Sequence, residues 1–195
     1  MDYGLRFKTA LQRIDDENAK DPRITSNASQ PSELLYSQWL TDWVLRLCPE
    51  ASEALLLAAR SQHICRWMIP RSSYEMTRVG YLTWRADLKK FHARKSGEIL
   101  AEAGYSDDFI SRVQTLNLKL NLIQDPECQT LEDALCLVTL QYQLSDLMMK
   151  TEPEKMIGIV QKTWKKMSAQ AREEALALPL SEAESDLVKK ALSKN

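Results

Sequence analysis

Residues 78–104 have the sequence RVGYLTWRADLKKFHARKSGEILAEAG, and this stretch decides the fold class of the chain. It contains no proline, which would interrupt a helix. One face repeats at the three- and four-residue spacing of an α-helix: Leu88, His92, Ser96 and Ile99. Gly104 closes the stretch, and glycine is common just beyond a helix end. The stretch therefore predicts one long helix from Arg78 or Gly80 to Ala103.

The rest of the chain repeats this helical spacing and contains no strand pattern of useful length. Only 5 of the 195 residues are glycine, which costs about 1 kcal/mol relative to alanine inside a helix. Further helices are predicted at about residues 5–20, 31–47, 52–69, 106–120, 130–149, from 153 onward, 168–176 and 181–192. We expect an all-α fold: a single compact multi-helix domain over residues 1–195, with a core at about 1–150 and C-terminal helices at 151–195 packed on it.

The composition predicts a cytoplasmic protein with no membrane partner. The cysteines stand singly and form no C-x-x-C pair, which is typical of a reducing compartment. No apolar stretch approaches the roughly 20 residues needed to span a bilayer. Residues 1–16 are charged and lack the apolar core of a signal peptide.

The charges are unevenly distributed along the chain. The net charge is -1, yet residues 58–95 hold 9 Lys/Arg against 2 Asp/Glu, a local charge of +7. A basic segment inside a slightly acidic chain predicts a local site for a small anionic or phosphorylated ligand. The negative total and the absence of a helix-turn-helix pattern argue against nucleic acid as a partner. A homodimer is compatible with the sequence.

The two histidines are candidate metal ligands. His63 and His92 are each predicted in the middle of a helix, facing the interior or a cleft in it. Together with the carboxylates of Glu33 and Asp133 they would form a mixed nitrogen and oxygen site, which suits Mn, Fe, Co, Zn or Mg. The alternative is a pair of hydrogen-bonded core histidines, with both acids in the first turns of their helices. For Asp133 that alternative places Thr130 at the helix start.

The basic segment contains four candidate anion-binding residues. They are Arg66, Arg71, Arg85 and Lys89. A guanidinium presents a planar fork that matches a phosphate group. The alternative is ordinary ion pairing with the acidic remainder of the chain.

Four strings resemble those of domain-of-unknown-function family 4202, a family of bacterial and fungal proteins. They are Gln62-His63-Ile64-x-Arg66-Trp67-x-Ile69-Pro70-Arg71, Gly80-Tyr81-Leu82-x-Trp84-Arg85, Phe91-His92-Ala93, and residues 129–138, QTLEDALCLV. The resemblance extends over nearly the whole chain, and the family implies no established activity.

A second, partial resemblance is to the His-Asp metal-dependent phosphohydrolases, an all-helical superfamily. Its members present an early His, a His-Asp doublet and a late Asp to one or two metal ions. Here Gln62-His63 stands where the doublet would be, and Asp133 stands where the late Asp would be. The early His is absent, and Glu33 lies nearest to its position.

This second resemblance implies a metal-dependent phosphohydrolase acting on a small phosphorylated molecule or nucleotide. Its divalent metal would be held by His63, His92, Asp133 and Glu33, with Asp133 and Glu132 as catalytic acids. The alternative function is a non-catalytic binding module for an anionic metabolite or a partner protein.

Overall fold

The structure is a computed structural model that describes residues 4–25, 29–120, 122 and 124–193. Within these residues the chain is almost entirely helical, which confirms the predicted all-α class. The helices are α1 (Leu5–Asn18), α2 (Ser32–Leu47), α3 (Glu53–Ser61), α4 (Arg78–Glu102), α5 (Asp107–Leu118), α6 (Pro126–Val138), α7 (Leu144–Lys150), α8 (Pro153–Lys166), α9 (Ala169–Leu176) and α10 (Glu182–Ser193). Short 3-10 turns follow α3 at Arg66–Met68 and Arg71–Ser73, and a π-helical segment, Thr139–Gln143, separates α6 from α7.

Two short strands precede α2. They are β1 (Ile24–Thr25) and β2 (Gln30–Pro31), which pair antiparallel with Ile24 opposite Pro31. Ser32 then begins α2 directly after this pair, close to the predicted start.

The chain divides into two units, residues 1–128 and 129–195. In the first unit α3 contacts α1, α2 and α5, and α4 packs along α5. Most of α3 is buried, because its leucines and alanines cover more than one face of a short helix. In the second unit α8 packs against α7 and α10 through Met156, Val160 and Leu187. The single-domain organisation stays a prediction.

The long helix α4 confirms the prediction from residues 78–104. Thr77 caps its start, because the Thr77 hydroxyl oxygen accepts a hydrogen bond from the backbone N–H of Gly80 at 3.1 Å. Gly104 lies beyond its end with φ +82°, the left-handed backbone conformation that favours glycine. Local signals therefore determine both ends of this helix.

The predicted end of α3 is wrong. The helix stops at Ser61 instead of continuing to residue 69, and Cys65 adopts the left-handed conformation with φ 53°. Three-residue turns replace helical bonding, with Ile64 N–H donating to Ser61 and Arg66 N–H donating to His63. His63 consequently lies on a turn and not in the middle of a helix.

The predicted start of the sixth helix is also wrong. The helix begins at Pro126 and not at Thr130. The Asp125 carboxylate caps it, accepting hydrogen bonds from the N–H groups of Glu127 and Cys128. Asp133 is therefore inside the helix and not in its first turn. The predicted continuous helix to residue 149 is broken by the π-helical segment.

No helix within the described ranges combines the length and the apolar character that a membrane crossing requires.

A clash at Gly80 predicts a loss of stability on substitution. A Cβ atom at this position would lie 2.2 Å from the backbone oxygen of Glu75, so Gly80→Ala must displace backbone. We expect it to lower the unfolding free energy by about 1–3 kcal/mol in urea denaturation. Gly158→Ala is the matched control in α8, where nothing lies within 4 Å of the added Cβ. It should raise stability by up to about 1 kcal/mol. Equal stability of Gly80→Ala and wild type would contradict the clash.

Candidate functional site

Four of the predicted site residues meet in the first unit and are called the polar cluster: Glu33, His63, Arg66 and His92. The two imidazole centroids are 5.8 Å apart. A Glu33 carboxylate oxygen lies 3.8 Å from His63 Nδ1. Arg66 Nη1 lies 3.4 Å from His63 Nε2. His63 is therefore the centre of the cluster.

Three separate elements bring these side chains together. Glu33 comes from the first turn of α2, and His92 comes from the middle of α4. His63 and Arg66 come from the turn that follows α3. The early end of α3 redirects the chain, so two residues that are three apart can both reach the cluster.

Glu33 is held by a residue pair that the sequence analysis missed. Arg23 donates to a Glu33 oxygen at 2.6 Å and to both oxygens of Asp21. Asp21 also accepts the backbone N–H of Glu33 at 3.1 Å. Burial raises the pKa of Glu33, and the positive charges of Arg23 and Arg66 only partly oppose it. The signal available in the sequence was an acid just before Pro22, next to an arginine.

His63 is a neutral ring in this environment. Burial, followed by the charge of Arg66, lowers the pKa of His63 well below its usual value. Its Nε2 faces an Arg66 N–H and so accepts, which leaves the hydrogen on Nδ1, toward Glu33. Tyr36 stacks on the ring with centroids 4.4 Å apart. The side chain is 24% exposed, so the cluster is reachable from solvent here.

His92 is the more buried ring. Its Nδ1 is 2.8 Å from the backbone oxygen of Ile64, so Nδ1 carries a hydrogen and donates it. Burial lowers the pKa of His92 to about 4, although the bond to Ile64 opposes the shift. Its Nε2 is buried and has no hydrogen-bond partner among the residues that the structure describes.

Arg66 lies over an aromatic ring. Its guanidinium carbon is 4.9 Å from the Trp84 ring centroid, and the Trp84 indole N–H donates to the backbone oxygen of Ile69. Burial lowers the pKa of Arg66, although the nearby Glu33 opposes the shift. Within the described ranges no carboxylate forms an ion pair with Arg66. The guanidinium thus has no carboxylate counter-charge in direct contact among these residues.

The comparisons with known proteins identify the family. The model of the family described as Domain of unknown function (DUF4202) matches residues 8–188. The chain belongs to DUF4202. No curated protein and no solved structure matches it. The likeness to His-Asp phosphohydrolases remains an expectation from the sequence.

The other predicted cations of this DUF4202 chain lie outside the cluster. Arg71 donates to the backbone oxygens of Tyr74, Glu75 and Thr77, and so closes the loop before α4. Arg85 is exposed and donates to the Tyr81 hydroxyl, although its charge also acts on His63. Lys89 is half-buried on α4.

The predicted catalytic acids belong to the second unit. The Asp133 carboxylate accepts hydrogen bonds from the Ser168 N–H and from the Gln129 side chain, each at 2.9 Å. Glu132 forms an ion pair with Lys166 at 3.2 Å. Both contacts join α6 to the end of α8 and the start of α9. The catalytic and metal-binding roles of these acids stay predictions.

The donor atoms of the cluster fit a metal ion only in part. The lone pair on His92 Nε2 suits a ligand role, since metal-bound histidines usually donate their other N–H to a carbonyl or carboxylate. The described stretches nevertheless contain no group of three or more His, Cys, Asp or Glu side chains that could hold a metal ion. The positive charge of Arg66 beside His63 also opposes a cation there. This donor set therefore supports no chemical step through a metal.

Proposed function

We propose that this DUF4202 chain binds a small phosphorylated molecule at the polar cluster, with the phosphate on Arg66. The observation that carries the proposal is a half-buried guanidinium over the Trp84 ring that has no ion-pair partner among the described side chains. A buried charge is costly unless it is paired, and a phosphate would supply the pair. The planar fork accepts two phosphate oxygens in parallel hydrogen bonds.

The surrounding charges also favour an anion. Both imidazoles are neutral near pH 7, so Arg66 is the cation of the cluster that can pair with the phosphate. The charges of Arg85 and Lys119 act on His63 as well. Glu33 is the one acid of the cluster, and Arg23 already engages it at 2.6 Å. An incoming phosphate therefore meets a net positive potential.

Calorimetry with matched arginine variants tests the proposal. We expect Arg66→Met to weaken binding of inorganic phosphate or glycerol 3-phosphate by about 10- to 100-fold, because charged hydrogen bonds are lost. Arg46→Met is the control, since Arg46 also stacks on a tryptophan, Trp43, at 4.8 Å. It removes the same charge at another place and should leave the affinity unchanged. Equal losses in both variants, or no binding to wild type, would overturn the proposal.

Hydrolysis of the bound phosphoester is a second candidate function. It is favoured by the pairing of a neutral His63 with the Glu33 carboxylate, 3.8 Å from Nδ1. In this reaction Arg66 turns from His63 Nε2 to the phosphate, a water oxygen attacks phosphorus, the ester P–O bond breaks, and the freed Nε2 takes the water proton. The leaving alkoxide takes a proton from solvent. Glu33 would stabilise the imidazolium that forms.

Release of inorganic phosphate from a panel of phosphoesters tests this second candidate. We expect His63→Gln to reduce the rate by about 100-fold or more while phosphate still binds. A wild type that releases no phosphate from any ester, with or without Mn²⁺, Zn²⁺ or Mg²⁺, would remove hydrolysis and leave the binding role. Elemental analysis of the purified protein tests metal dependence separately, and His63→Ala should then lose the metal.

A further inference from the structure

A buried hydrogen-bond network lies next to the polar cluster, between α3, α4 and α5. The Asn117 side-chain amide donates to the hydroxyls of Ser61 at 3.1 Å and Ser96 at 3.2 Å. Each serine hydroxyl donates a hydrogen bond to a backbone oxygen one helical turn earlier. The Gln62 side-chain amide donates to the backbone oxygen of Asn117. Both amide hydrogens of Asn117 and both serine hydroxyl hydrogens are thus engaged.

Acceptors, in contrast, remain without donors in this region. Gln62 Oε1, Asn117 Oδ1 and His92 Nε2 are buried and have no hydrogen-bond partner in the described part of the chain. The amide orientations are determined, because the opposite ends of Gln62 and Asn117 face acceptors. More than about 90% of buried polar groups have a partner, and each one left without costs about 1–3 kcal/mol. A partner that satisfies these acceptors must therefore be a hydrogen-bond donor.

One of these acceptors without a donor, His92 Nε2, belongs to the polar cluster. Its Nδ1 hydrogen is used by Ile64, so in the neutral ring Nε2 can only accept. The ring lies 5.8 Å from that of His63, whose side chain is in contact with Arg66. His92 thus lies one ring away from the proposed phosphate site.

We propose that the ligand of the polar cluster is a phosphorylated polyhydroxy compound, such as a polyol or sugar phosphate, and that one of its hydroxyls donates to His92 Nε2. The inference rests on the proposed phosphate site and narrows its ligand class. An alkyl phosphate, or inorganic phosphate held on Arg66, would bring no carbon-bound hydroxyl to His92 Nε2. Its binding would therefore lack the hydrogen bond to this nitrogen.

Two ligands that differ only in their hydroxyls test the inference. Glycerol 3-phosphate and n-propyl phosphate share a phosphate and three carbons, but only the first has free hydroxyls. We expect the wild type to bind glycerol 3-phosphate about 10-fold more tightly, as expected for satisfying one buried acceptor. The variant His92→Asn keeps a donor for the Ile64 carbonyl and removes Nε2. In this variant the ratio of the two dissociation constants should fall to about 1.

The outcomes separate this inference from the proposed function. Equal affinities of wild type for the two ligands would overturn the inference and preserve the phosphate site, and would mean that water supplies the hydrogens. An unchanged ratio in His92→Asn would overturn the assignment to His92. Failure of both ligands and of inorganic phosphate to bind would overturn the proposed function itself.

If His92→Asn does not fold, ¹⁵N NMR of histidine-labelled wild type replaces it. The Nε2 resonance should then move with glycerol 3-phosphate, and no shift would overturn the inference.

Discussion

The variant Glu33→Ala is expected to lose about 2 kcal/mol of unfolding free energy relative to the wild type. Glu33 is 7% exposed and is the acid of the polar cluster. Its removal breaks the 2.6 Å charged hydrogen bond from Arg23 and takes away a carboxylate whose charge acts on Arg66, although the two side chains form no ion pair. Losing a charged hydrogen bond at a buried acceptor costs about 1.5–3 kcal/mol. Urea denaturation at pH 7 measures the loss.

A double-mutant cycle with Arg66 assigns the cause of this loss. In an Arg66→Met background the same Glu33→Ala substitution should cost about 1 kcal/mol less, because the charge of Glu33 then has no Arg66 charge to act on. Glu33→Gln is the matched control, since it keeps the volume and an acceptor for Arg23 and should lose less than alanine. The same loss in both backgrounds would show that Glu33 and Arg66 are not coupled.

Stability should also fall between neutral and mildly acidic pH because the pKa values of both histidines are lowered in the folded chain. The pKa of His92 is lowered to about 4 in the folded chain, while an unfolded histidine has a pKa near 6.5. Between these values the unfolded state binds more protons, so unfolding becomes more favourable as the pH falls. From His92 alone we expect a loss of about 2 kcal/mol between pH 7 and pH 5. His63, whose pKa is also lowered, acts in the same direction.

Comparison with His92→Asn isolates this histidine. The variant lacks the titrating group, so its stability should change less than that of the wild type over the same pH range. Glu33 has the opposite effect, because its raised pKa favours the protonated folded state at low pH. Glu33 contributes in the wild type and in His92→Asn alike, so the difference between their pH profiles reports His92. The same change in stability from pH 7 to pH 5 in both proteins would contradict a neutral, buried His92.

The candidate site was predictable only where local pattern and tertiary position agree. Glu33 and His92 were singled out from the sequence, and both are buried in the cluster. Arg71 was predicted to bind an anion from its residue type alone. Its guanidinium instead donates to the backbone oxygen of Glu75 in the loop before α4. Asp21 and Arg23 were missed because their role depends on Glu33, which is held in place by tertiary packing.

By itself the sequence determined the all-α class, the DUF4202 family and the course of α4. Helical periodicity, the cap at Thr77 and the glycine at position 104 are local signals, and they act over a few residues. Only the tertiary structure decided that α3 ends at Ser61 and that His63 lies between Glu33 and Arg66. Residues 62–69 keep a helical pattern, but packing against α2 and α4 selects a turn there. Local helix propensity does not include the energy of those contacts, so the sequence pattern could not predict the turn.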